Sequence, residues 1–167
     1  MKLVVNSYEP PSIKPIQRKK KWYNFFLRND WVVTKPGELS FTVDDKVQFR
    51  MKWRNGFKTD GGSIPRIFWF FTGHPLGEWL RDFLCHDGLY GSERLTRRMN
   101  DLIFYHLLKE HGCPFIIRWF IFLFVRIFGY VCAYWPHTRE SILENSIHCP
   151  LWVNNIPAGI TDRRNMK

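Results

Sequence analysis

Between Trp31 and Thr59 β-favouring residues fall in four short runs, Trp31 to Thr34, Leu39 to Val43, Val47 to Trp53 and Phe57 to Thr59, and in the two middle runs apolar and polar positions alternate. A period of two puts every second side chain on one face of a strand. Lys35-Pro36-Gly37, Asp44-Asp45 and Asn55-Gly56 separate the runs, the last being a pair favoured in a tight type I′ hairpin, so the stretch predicts an antiparallel meander. After Pro65 the period lengthens to that of a helix. One helix is expected near Gly77 to Tyr90 and another from about Ser92 to Glu110, with Ser92 as its starting cap and Gly112 and Pro114 marking its end. The two form an antiparallel pair.

A third segment, Phe115 to Trp135, is nearly all apolar and aromatic and close to the ~20 residues that a bilayer span needs. It carries Arg118 and Arg126, read as one stripe with Gly129 and Ala133, and each arginine near the middle of a span costs a few kcal/mol. A helix that is buried or lies at an interface is therefore favoured over one that spans. The expected fold is α+β, an N-terminal antiparallel β-meander followed by a mainly helical C-terminal part with an antiparallel helix pair. Residues 31–135 form the single core domain, 1–30 a basic and aromatic arm, and 136–167 an irregular tail with Pro136, Pro150 and Pro157.

Composition narrows the classes of partner. The 167 residues fit one domain. Their 25 Lys and Arg against 15 Asp and Glu leave a net charge of +10, which attracts anionic partners. The arm adds the run Arg18-Lys19-Lys20-Lys21 followed by Trp22, Tyr23, Phe25 and Phe26. No zinc finger, helix-turn-helix or RNA-binding aromatic motif is present, so nucleic acid ranks below an anionic membrane surface or another envelope component. Cys85, Cys113, Cys132 and Cys149 are widely spaced among apolar neighbours and are expected to be reduced, mostly buried thiols. Met1 to Glu9 lacks the apolar region of a signal peptide, which points to the cytosol or to packaging in a particle, with membrane association through 115–135.

Two motifs carry candidate chemistry. Thr59-Asp60-Gly61-Gly62-Ser63-Ile64-Pro65 leaves a strand, crosses two glycines and enters a helical segment, so its backbone can present amides or carbonyls to a ligand. Cys85-His86-Asp87-Gly88-Leu89-Tyr90 places His86 beside Asp87 among apolar residues, where polar groups are costly unless paired. Asp101, on the next helix, can approach His86 across the pair and fix its tautomer, and Tyr90 can hydrogen-bond the same carboxylate.

The order Thr-Asp-Gly-Gly-Ser-Ile-Pro, His-Asp-Gly-Leu-Tyr and a later Asp, over roughly residues 31 to 135, resembles a bacteriophage and prophage domain family of unknown function. More distantly, His-Asp-x-x-Tyr with a glycine loop before it and an Asp after it is similar to phospholipase A2. That resemblance implies that His86 deprotonates water, that Asp101 orients His86 and that Tyr90 braces Asp101. It also implies that Asp87 holds a divalent metal, calcium before zinc, with Asp60 and the Gly61 and Gly62 carbonyls. The chain departs from the pattern in lacking the many disulfides of the secreted enzymes. The implied function is a small, metal-dependent hydrolase of a bacterial envelope component, with a phospholipid ester as the concrete case. Two alternatives stay open. Asp60, His86 and Asp87 could ligate zinc directly for another hydrolysis. The cluster could equally be a structural tie in a non-enzymatic phage accessory or virion protein.

Overall fold

A computed structural model of the protein describes residues 1–16, 31–59, 77–92, 95–133 and 148–154, with side chains of the last helix through residue 127. The alternation of the two central strands is mirrored in their burial. In β4 (Gly37–Val43) and β5 (Val47–Trp53) every odd-numbered residue is buried, and Phe41 and Phe49 stack across the pair at 4.8 Å. Asp44 and Asp45 both take positive φ, and the Lys46 N–H donates to the Val43 carbonyl, so this turn has the type I′ form.

Two strands precede this hairpin. β1 (Leu3–Glu9) pairs antiparallel with β4, and β2 (Ser12–Pro15) pairs with β3 (Trp31–Lys35). Residues 3–15, expected to extend as an arm, are thus built into the sheets; the basic run and the aromatic cluster that follows it lie outside the described residues. β7 (Leu151–Asn154), within the segment expected to be irregular, adds itself to the far edge of β5.

The antiparallel β half is present, but its pairing is divided. One sheet runs β1-β4-β5-β7 and the other β2-β3-β6, where β6 is Lys58–Thr59. Asn55-Gly56 carries the chain from one sheet to the other. Gly56 sits at φ +92° and Phe57 N–H returns to Arg54 O at 3.1 Å; with Gly third in the turn and Asn55 at negative φ, this is type II geometry rather than the expected I′ hairpin.

Three helices follow: α1 (Leu80–Ser92), α2 (Arg97–Glu110) and α3 (Phe115–Ala133). α1 and α2 pack together, α2 also packs against α3, and both α1 and α2 rest on the four-stranded sheet. The α2 start falls later than expected. Ser92 donates its hydroxyl to Leu89 O and closes α1, whereas Thr96, extended at ψ 148°, caps α2 by accepting from Met99 N.

Two apolar clusters share these helices. Leu84, Cys85, Leu89, Ile103 and Leu107 face the sheet, while Trp79, Phe83, Phe104 and Leu108 meet Cys113, Ile121 and Val125 on the other side. The indole of Trp53 donates to Leu84 O at 3.2 Å, a buried tie between sheet and α1. Among the described residues no helix is long and apolar enough to cross a membrane.

Candidate functional site

The site is assembled by α1 and α2, and a glycine sets how close α1 comes to the sheet. A Cβ on Gly88 would stand 2.5 Å from Met51 Sδ and 2.7 Å from Cys149 Sγ, so only a residue without a side chain permits that approach. With Gly88 and Leu89 against the sheet, His86 and Tyr90, four residues apart, share the neighbouring face and turn toward α2. Asp87 is turned the other way, and its Oδ2 accepts from the Thr59 hydroxyl of β6 at 2.5 Å.

Asp101 is the hub. Its carboxylate has no exposure to solvent and gathers polar groups from all three helices. Oδ1 lies 3.2 Å from His86 Nε2 and accepts from the Tyr90 hydroxyl at 2.8 Å, and Oδ2 accepts from Arg126 Nη1 at 2.9 Å. Arg97 Nε stands 3.9 Å from Oδ2 and donates to the Tyr90 oxygen at 3.1 Å. The His86 ring, 12% exposed, is held between Tyr90 and Phe104 at centroid distances of 4.6 and 4.7 Å. Its second nitrogen, Nδ1, lies 3.9 Å from Asp87 Oδ1.

These contacts set the charges. Burial works against an imidazolium at His86, but the hydrogen bonds and negative charges of Asp101 and Asp87 outweigh it and raise the His86 pKa above 6.5. Burial likewise opposes the Asp101 carboxylate, yet His86, Arg126 and Tyr90 together hold its pKa below the usual value. Tyr90 is pushed far up, first by burial and then by the Asp101 charge, so its hydroxyl stays a donor.

Of the residues singled out from the sequence, the structure brings His86, Tyr90, Asp101 and Asp87 together. Asp60, Gly61 and Gly62 lie outside the described residues. Asp87 is then the one placed member of the expected calcium shell, and among the described residues no group of three His, Cys, Asp or Glu is arranged to hold a metal ion. One carboxylate falls well short of the six to eight oxygens calcium takes, and His86 with Asp87 falls short of the four ligands of zinc. The described residues do not make a metal shell by themselves.

Sequence reasoning missed three participants. In the sequence Arg126 counts against a membrane span, and its charge inside an apolar run is the available signal that it has a partner. Arg97 is one of several arginines close to Asp101 in sequence, and its bond to Tyr90 is set by the helix crossing. Thr59 was read as the end of a strand. Arg118 and Arg126 do not share a stripe either, because eight residues at ~100° each leave them about 80° apart. Arg118 is buried, donates to Cys113 O at 3.3 Å and lies 4.8 Å from the Tyr105 ring centre.

A second polar group is built in as well. Asp82 is fully buried and accepts from Arg81 Nε and pairs with His111 Nδ1, both at 2.9 Å, while Arg81 Nη2 reaches Glu110 at 2.9 Å. It ties the start of α1 to the end of α2 and stands apart from the His86 group.

Residues 31–125 match the family model described as "Protein of unknown function (DUF1353)". A protein of Sinorhizobium fredii (strain NBRC 101917 / NGR234), "Uncharacterized protein y4jT", is 28% identical over 116 residues, covering 67% of this chain and 33% of its own length. The chain thus spans about a third of that relative. No solved structure matches.

Proposed function

The chain belongs to the DUF1353 family of proteins of unknown function, and from the arrangement on α1 and α2 we propose that it is a small hydrolase in which His86 is the general base. The observation that carries this reading is the engagement of Nε2 by the buried Asp101, 3.2 Å away. A carboxylate at Nε2 places the proton of the neutral ring there, which leaves the lone pair of Nδ1 available to take a proton from water. The hydroxide so formed attacks an ester carbonyl. The proton held on Nδ1 then passes to the departing alkoxide, so His86 ends as it began. Tyr90 and Arg126 act by positioning, since they hold Asp101 and not the reacting atoms.

The substrate in this proposal is an ester of a bacterial envelope component, a phospholipid in its concrete form, consistent with the net charge of +10. The test is release of fatty acid from phosphatidylglycerol in mixed micelles, with added calcium and with chelator. Turnover by the parent chain that falls at least about a hundredfold in His86→Gln supports the reading. Absence of turnover in both conditions overturns it.

One observation favours the structural alternative, a phage accessory or virion protein with the cluster as a tie. Asp101 already receives Tyr90 and Arg126 besides pairing with His86, which is also what joining three helices requires. In that case His86→Gln lowers stability and no hydrolysis is found.

A further inference from the structure

Helix α3 packs one face on α2 and leaves the other bare. Arg118, Ile121 and Val125 are buried, whereas Phe115, Ile116, Trp119, Leu123 and Ile127 are 64, 80, 51, 37 and 53% exposed. At ~100° per residue those five fall within about 120° of arc and run for roughly 18 Å along the helix. A helix face turned to water in a globular domain is ordinarily polar. The one charged residue in this arc, Arg126, is drawn back onto Asp101, with Nη1 2.9 Å from the carboxylate. From Phe115 to Ile127 the outward surface is therefore apolar apart from the part of Arg126 that stays exposed.

A basic border adjoins it. Arg98 and Lys109 are both exposed on α2. Eleven residues apart, they stand about 20° from each other round the helix. Tyr105 lies between them on that side and meets α3 directly, 5.3 Å from the Phe122 ring and 4.8 Å from the Arg118 guanidinium. A largely apolar face carrying Arg126 and flanked by the exposed cations Arg98 and Lys109 is complementary to one kind of surface.

We propose that the exposed face of α3 docks on an anionic lipid bilayer, with the helix lying in the plane of the headgroups. Trp119 suits that depth, because an indole has an apolar body and a polar N–H. A second copy of the chain is disfavoured as occupant, since it brings the same charge of +10 to the contact. Spanning is not required: no described helix is long and apolar enough to cross, and Arg126 is held by the fold. The inference stands apart from the hydrolase reading, because docking requires no turnover at His86.

The test is flotation of the full chain with vesicles of phosphatidylglycerol, phosphatidylcholine and their mixtures. Binding is expected only where phosphatidylglycerol is present and should fall as salt rises. The double variant Ile116→Ser, Ile127→Ser should bind at least about tenfold more weakly while keeping its circular dichroism, both positions being exposed. Trp152→Ser, 43% exposed on β7, should bind as the parent does, which separates docking at α3 from apolar exposure elsewhere. Flotation with no vesicle, or flotation indifferent to the double variant, overturns the proposal. A dimer in sedimentation equilibrium that the double variant dissolves assigns the face to a second copy and overturns it too.

Discussion

Asp101 shows how one residue can hold both a fold and a site. It is inaccessible to solvent and its ionised form is favoured over the cost of burial by His86, Arg126 and Tyr90. Asp101→Asn keeps the shape but withdraws the charge, so charge-assisted bonds become ordinary ones and Arg126 loses its counter-ion. The expected loss is about 2–3 kcal/mol, read from urea unfolding at neutral pH. Because the folded pKa of Asp101 is depressed, this stability is present above ~3.9 and disappears as the pH falls through the folded value. The sign reverses at His86. Its folded pKa is raised, so the stabilisation is complete below ~6.5 and is lost as the pH rises through the folded value. Under the hydrolase reading the base must be neutral, and kcat/KM should climb through an apparent pKa above 6.5. His86→Gln should flatten the neutral part of the stability profile, measured by thermal unfolding from pH 5 to 9.

At the scale of elements, the close seat of α1 on the sheet orients His86, and Gly88 is its tightest point. Gly88→Ala drives a Cβ into Met51 and Cys149, both buried, and Cys149 sits beside β7 with little room to yield. A loss of about 1–3 kcal/mol is expected from chemical denaturation, with lower turnover if the shifted helix moves His86 off Asp101. The same position shows what the sequence could and could not disclose. Alternation along β4 and β5 and the helical period after Gly77 were legible because each reports the direction of its own side chains. His86, Tyr90 and Asp101 were legible because polar groups set in apolar runs need partners. Strand order was not: the type II turn at Asn55-Gly56 and the pairing of β1 and β7 with the hairpin depend on contacts far apart in the chain. Arg126 was missed for a related reason. Its charge was visible, but its partner lies 25 residues away on another helix.

For the molecule as a whole, the question is whether the sheet-facing and the helix-facing clusters unfold as one. α1 and α2 contribute to both: Leu84 and Phe83 are adjacent in α1 but face opposite clusters, as do Ile103 and Phe104 in α2. Neither helix can leave one cluster while remaining in the other, which argues for a single cooperative unit. The buried thiols test this. Cys85 and Cys149 lie in the sheet-facing cluster and Cys113 in the helical one, and all three are free. Burial pushes each thiol up, Cys113 to about 11 and the other two well above the ordinary range, so none is a reactive thiolate in the folded chain. Alkylation at these three positions should therefore require opening of the fold. Under increasing urea, with labelled peptides read by mass spectrometry, Cys85, Cys113 and Cys149 should become reactive at one midpoint that coincides with the loss of helical circular dichroism. Earlier labelling of Cys113 would show that α3 and its cluster open first, and would separate the apolar helix face from the sheet as an independent unit.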